Sequence, residues 1–150
     1  MQLTFLLSEE DEAAFLDSEL TALATVYGDY LDPVTAEVEL SLVGMGEMQA
    51  LNKETRSIDE PTDVLSFPLL EGREEIISQD PSAPVLIGSI VICPEKAGIY
   101  GETLPQLVHH GLLHLCGFDH ETDREAWLTE EAPLIGNLTT HGLTVPGIPQ

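Results

Sequence analysis

The sequence predicts an α+β fold. Two observations carry that reading. Four segments with the patterning of β-strands fall before residue 94, and the main helices gather around and after them without regular strand–helix alternation. A third bounds the size: 150 residues, 43% of them hydrophobic, make one domain (residues 1–150) able to bury a core.

The elements follow in order. Residues 2–7, QLTFLL, read as a short strand. Ser8 followed by Glu9, Glu10 and Asp11 marks a helix start, with a hydroxyl cap ahead of acids that face the positive end of the helix dipole. Ala13, Leu16, Leu20, Leu23, Ala24 and Tyr27 then recur at helical spacing, which predicts one helix across them. In AEVELSLV (36–43), Val38, Leu40 and Leu42 alternate with polar residues, the pattern of a half-buried strand. GEMQALNKET (46–55) suits a short helix, and TDVLSFPL (62–69) a strand closed by Pro68. Residues 71–84 are polar, acidic and punctuated by proline, hence a surface loop, and VLIGSIVIC (85–93) is a near-continuous apolar run suited to a central strand.

A helix carrying histidines comes next. Thr103 with Gln106 forms a capping-box pattern, and Leu104, Leu107, Val108, Gly111, Leu112 and Leu115 form one stripe at about 100° per residue. Gly117 is placed to end that helix in a left-handed turn. Thr122 with Glu125 predicts the cap of a last helix bearing Trp127, Leu128, Leu134 and Ile135, with Pro133 breaking or kinking it. The tail from His141 reads as loop.

Composition narrows the function classes. Two cysteines are too few for a disulfide framework, which points to a reducing cytoplasm, and no stretch approaches the ~20 apolar residues of a membrane span. Asp plus Glu number 27 against 5 Lys plus Arg, for a formal net charge of −22. Such a surface repels phosphate backbones at long range, so general nucleic-acid affinity is disfavoured.

Residues 109–120, HHGLLHLCGFDH, carry the chemistry. His110 and His114 are one helical turn apart, so both rings can aim at one point. His109 points roughly 120° away from them on the helical wheel and is excluded as a ligand. The turn at Gly117 lets the chain fold back and offer His120 from the other side. Three neutral imidazoles with an open fourth position make a catalytic rather than a structural zinc site. The spacing H-x-x-x-H-x-x-G-x-x-H is zincin-like, matching the metzincin proteases, but Gly111 stands where those enzymes place a glutamate base. Peptide hydrolysis by that route is unsupported, while a Lewis-acid role for the metal survives.

HGLLHLCGFDH resembles the signature of the YbeY family, bacterial metal-dependent endoribonucleases of rRNA maturation, whose pattern is roughly H-G-x-L-H-L-x-G-Y/F-D-H. LNKETRSIDEPTDVLSFPL (51–69) is similar to the family's LN-x-x-x-R…TDVLSFP block, and GSIVIC (88–93) to its G-D-I-V-I-S strand. The resemblance spans about residues 36–138. It implies a small mixed, mainly four-stranded sheet flanked by helices, and one Zn²⁺ on His110, His114 and His120, with Arg56 and His114 serving catalysis. It implies single-strand-specific cleavage of RNA in maturation of the 16S 3′ end and in ribosome quality control. The implied partners are rRNA, small-subunit proteins and a ribosome-assembly GTPase, for a monomeric protein.

A guanidinium at such a site can grip a scissile phosphate with two hydrogen bonds. Asp119 either orients a histidine or caps the turn, while Asp63 and Ser66 either line the groove or are simply buried. Cys116, Met45, Met48 and Trp127 read as core. Ser89 stands where the family has aspartate, and the segment from Ile92 to His110 is shorter than usual. The acidic surface leaves a second reading open, a non-catalytic ribosome-assembly factor whose metal is structural. Lys53, Arg56 and Arg124 are the cations expected beside the metal, as a small basic spot.

Overall fold

A computed structural model describes residues 3–148, so Gln2 of the expected first strand and the last two residues of the tail lie outside the described residues. The elements run β1 (Leu3–Leu6), α1 (Glu9–Glu12), α2 (Asp17–Tyr30), β2 (Ala36–Leu42), α3 (Met45–Arg56) and β3 (Val64–Pro68). They continue with α4 (Arg73–Ile77), β4 (Val85–Ile92), α5 (Pro94–Ile99), α6 (Leu104–Leu115) and α7 (Arg124–Thr140). The four strands form one mixed sheet in the order β1-β2-β4-β3. Strands β1, β2 and β4 pair in parallel, and β3 runs antiparallel along β4. The α+β architecture expected from the sequence is the one observed, and β4 lies between two partners as its apolar run requires.

The sheet divides the apolar residues into two layers. Ile87, Ile90 and Ile92 of β4 join Val38 and Leu40 of β2 in the main core, beneath Leu23 and Tyr27 of α2, Leu112 and Leu115 of α6, and Trp127 of α7. On the other face Met48 of α3 packs with Leu65 and Cys93, and Met45 lies partly buried against them. Along β3 this alternation sends Leu65 to the α3 side and leaves Val64 and Ser66 on the α6 side. Strand β3 is an edge strand, so a cleft opens between it and α6.

Local patterning is overridden in four places. The single helix expected from Ser8 onward is two: Ser8 does cap α1, through the Asp11 N–H at 3.1 Å, but the chain breaks before α2. The break is set by Glu19, whose carboxylate accepts the Leu16 N–H at 2.8 Å and starts a new helix. Leu16 itself is 66% exposed, so it never belonged to the buried stripe. The expected loop at 71–84 contains α4, a five-residue helix anchored by the fully buried Ile76. Helix α5 was not read from the sequence, although Pro94 at its first turn favours a helix start.

Last, Pro133 lies inside α7 without breaking it, and the cap is Asp123, which accepts the Ala126 N–H at 3.0 Å, rather than Thr122. An interior proline costs about 3 kcal/mol. Trp127, Leu134 and Leu138 are buried on either side of it, and each fully buried apolar side chain contributes about 1.5–3 kcal/mol. Packing on both flanks therefore outweighs the local penalty. Among the described residues no helix is long and apolar enough to cross a membrane.

Candidate metal centre and cleft

Helix α6 is built as the sequence suggests. Thr103 Oγ1 accepts the Gln106 N–H and Gln106 Oε1 accepts the Thr103 N–H, both at 3.3 Å. A Cβ on Gly111 would sit 2.9 Å from the Ile90 side chain, so glycine there lets α6 lie close on β4. Any side chain at that position would force the buried Ile90 side chain to shift. The helix ends at Gly117, which adopts φ 96°, and a Cβ there would also come within 2.8 Å of Gly72. The chain then turns back through Asp119, whose carboxylate accepts the Glu121 N–H and whose carbonyl accepts the Asp123 N–H, both at 2.9 Å. Asp119 thus fastens the turn that carries His120, and among the described residues it makes no hydrogen bond to a histidine.

This geometry brings three imidazoles together. The Nε2 atoms of His110 and His114 are 3.2 Å apart, and the His120 ring centre lies 5.0 Å from that of His110 and 5.6 Å from that of His114. One nitrogen from each ring lies within 4.8 Å of the others, a spacing that can hold a metal ion. Beneath them is Trp127, its ring 4.9 Å from His110 and His114 and 5.0 Å from His120. Trp127 is core, as expected, but it is also the floor on which all three rings rest. Burial, and then His114 and His120, push the His110 ring down to about 4. Burial also lowers His114, against the opposing pull of the Asp119 charge. Neutral rings with free nitrogens are what a metal requires.

His109 occupies a different world. It is buried on the far side of α6, with Nδ1 2.8 Å from the Tyr27 hydroxyl and Nε2 2.9 Å from Glu131 Oε2. A ring with a proton on Nε2 can donate to Glu131. Burial would raise the Glu131 carboxyl, but the His109 hydrogen bond and charge hold it below its ordinary value.

The triad forms the floor of a cleft of about 740 Å³. Asp63, just before β3, and Ser66 within it line one wall, and Arg56, the last residue of α3, also lines the cleft. Cys116 is buried beside the core, where burial pushes its thiol up to about 12. Ser89 does not line the cleft; its hydroxyl lies 3.4 Å from Glu39 Oε2 on another part of the sheet.

The expected basic spot is not formed. Lys53 pairs with Asp59 at 3.8 Å, and Arg124 does not line the cleft, so among the described residues Arg56 is its one Lys or Arg. It shares the lining with Asp63, Glu102, Asp119 and Glu121. Glu102 is the lining residue that the sequence did not disclose. Its Oε1 is buried without a hydrogen-bond partner, and burial, then a hydrogen bond and charge from Asp63, push the carboxyl up to about 8. The only local signal was its place one residue before the α6 cap.

Fold and site together define an α+β protein with a three-histidine centre, of the kind that holds a transition metal, open to a cleft beside an edge strand. Residues 9–132 match the family described as Endoribonuclease YbeY, and the chain belongs to that family. It is 45% identical over 109 residues to the Endoribonuclease YbeY of Aliarcobacter butzleri, covering 67% of this chain and 72% of the relative. Against that of Halalkalibacterium halodurans it is 36% identical over 123 residues, covering 73% and 75%. The solution structure of TM1509 from Thermotoga maritima is similar with a TM-score of 0.52 at 27% identity, covering 93% of this chain and 85% of that one.

Proposed function

We propose that this protein is a zinc-dependent endoribonuclease that cuts single-stranded RNA in the maturation of small-subunit rRNA, working in the cytoplasm on the ribosomal particle. The observation that carries the reading is the convergence of three imidazoles at the floor of a cleft in a chain of the YbeY family. His110, His114 and His120 would hold the ion, and three nitrogen ligands leave a position for substrate. When bound, the ion supplies Lewis acidity toward a phosphodiester.

The chain's own residues do the rest. Arg56 binds the phosphate with a planar fork and offsets the charge that develops on its oxygens. Trp127 keeps the three rings from turning away, and the β3 edge, through Ser66, borders the path along which the strand lies. The missing base at Gly111 counts against a peptidase, since glycine has no side chain to take a proton.

A second reading keeps one observation on its side. With a net charge of −22 and four carboxylates lining the cleft, the protein suits basic ribosomal proteins better than bare RNA, as a non-catalytic assembly factor would. Turnover of a defined single-stranded RNA by the protein, with and without zinc, separates the two. The proposal expects metal-dependent cleavage; no cleavage in either state leaves the assembly factor.

A further inference from the structure

An endoribonuclease must discharge a ribose oxygen, a poor leaving group unless it receives a proton as its bond to phosphorus breaks. The position that serves acid–base chemistry in zincin-like proteases is filled by Gly111 and faces Ile90. The proton must therefore come from elsewhere in the cleft. Resting on the reading of the protein as an endoribonuclease, we propose that Glu102 is the catalytic acid that protonates the leaving oxygen.

The cleft contains four carboxylates, and their hydrogen bonds distinguish them. Asp63 Oδ1 accepts the Val64 N–H at 2.8 Å and lies 3.2 Å from the Thr62 hydroxyl, so it is supplied with donors. Asp119 accepts the Glu121 N–H, and Glu121 is exposed to solvent. Of the four, Glu102 is the one with a carboxyl oxygen that is buried and without a hydrogen-bond partner, Oε1, and its carboxyl lies in hydrogen-bonding reach of Asp63. Two adjacent carboxylates share one proton, which resides on the member with the less favourable surroundings for charge. Burial and the Asp63 charge push Glu102 up to about 8, so it enters the reaction protonated at neutral pH.

Its backbone is fixed as well. The Glu102 N–H donates to Ala97 O at 2.9 Å, and the next residue is the α6 cap. A protonated carboxyl on a fixed backbone, lining the same cleft as Arg56 and the three histidines, is preorganised for transfer.

The step balances simply. The attacking oxygen forms a bond to phosphorus and its proton passes to solvent water. The bond to the leaving ribose oxygen breaks, and that oxygen keeps the electron pair and takes the Glu102 proton. Glu102 is left as a carboxylate beside Asp63, an unfavourable pairing, and regains a proton from solvent before the next turnover.

The test compares two substrates on zinc-loaded wild type and Glu102→Gln: a single-stranded RNA, and a nucleoside nitrophenyl phosphodiester whose leaving group departs without a proton. Glutamine keeps the shape and a hydrogen bond to Asp63 but carries no acidic proton. The variant should lose about 10²–10⁴-fold in kcat on RNA, retain near wild-type turnover of the nitrophenyl ester, and keep its zinc content. Unchanged RNA cleavage, or equal losses on both substrates with zinc retained, overturns the assignment. If the variant does not fold, wild type decides: turnover should depend weakly on leaving-group acidity across a phosphodiester series, and a steep dependence overturns the assignment. If wild type cleaves neither substrate, the endoribonuclease reading itself has failed; if it cleaves both and the variant matches it, only Glu102 has.

Discussion

Two neighbouring histidines on α6 live opposite lives. His109 is enclosed between Tyr27 and Glu131, each ring nitrogen partnered by a protein atom. His110, the next residue, faces a cleft with His114 and His120, and their nitrogens are turned toward one another. A full set of protein partners makes an imidazole part of the structure, and nitrogens left to converge make it available to a ligand. Residue type alone does not separate the two; what each ring nitrogen meets does.

The comparison can be broken most severely at His114. His114→Ala removes one of three ligands and should reduce RNA cleavage to background while the circular dichroism of the fold stays intact. Cleavage surviving at wild-type rate would show that the triad is not the reactive centre. Arg56→Lys should cost on the order of 10²-fold in turnover without changing metal content, because lysine keeps the charge but loses the fork that binds two phosphate oxygens. Equal turnover would show Arg56 to be a surface charge only.

On the other side of the helix the effect should appear in stability. His109→Ala leaves Glu131 buried with its imidazole partner gone, and breaking a buried pair costs about 3–5 kcal/mol. Urea unfolding should register that loss while zinc stoichiometry is unchanged; a variant as stable as wild type would deny His109 its structural role.

Acid sharpens the contrast at the cleft. A proton and a metal compete for the same nitrogen, so zinc should be released as pH falls. Because burial and its histidine neighbours hold His110 at about 4 rather than 6.5, proton competition at that ring begins below the ordinary imidazole range. Retention of zinc against a fixed chelator should therefore fall as the solution is acidified. Occupancy independent of pH would exclude imidazole ligation.

The smallest effect concerns binding. For single strands the logarithmic salt slope is about −0.7 per phosphate contacted. With Arg56 the one Lys or Arg lining the cleft among the described residues, naked RNA should bind weakly with a slope of magnitude about 1 or less, while association with small subunits should be salt-sensitive. Tight binding to naked RNA with a steep slope would place cationic contacts outside the cleft.

Much of this was legible because it is local. The i,i+4 histidines, the Thr103–Gln106 box and the helix-ending Gly117 are all encoded within a stretch of 18 residues, 103–120, and the structure brings the three rings together as that stretch suggests. The four strands were legible for the same reason, through period-two alternation or apolar runs. What escaped depends on distant parts of the chain. Glu102 acquires its character from burial beside the α6 terminus and from Asp63, which the start of β3 brings to it. Trp127 reads as core in any window, and only the return of α7 beneath α6 sets it against the three rings. Helices α4 and α5 are too short for a helical period to register, and the basic spot failed because Asp59 captures Lys53.

The central claim is that His110, His114 and His120 hold a single metal ion. Elemental analysis of freshly purified protein tests it most directly, with wild type, His114→Ala and His109→Ala measured side by side. The account predicts one zinc per chain in wild type and in His109→Ala, and none in His114→Ala. No metal in wild type, or an undiminished metal content in His114→Ala, would contradict it.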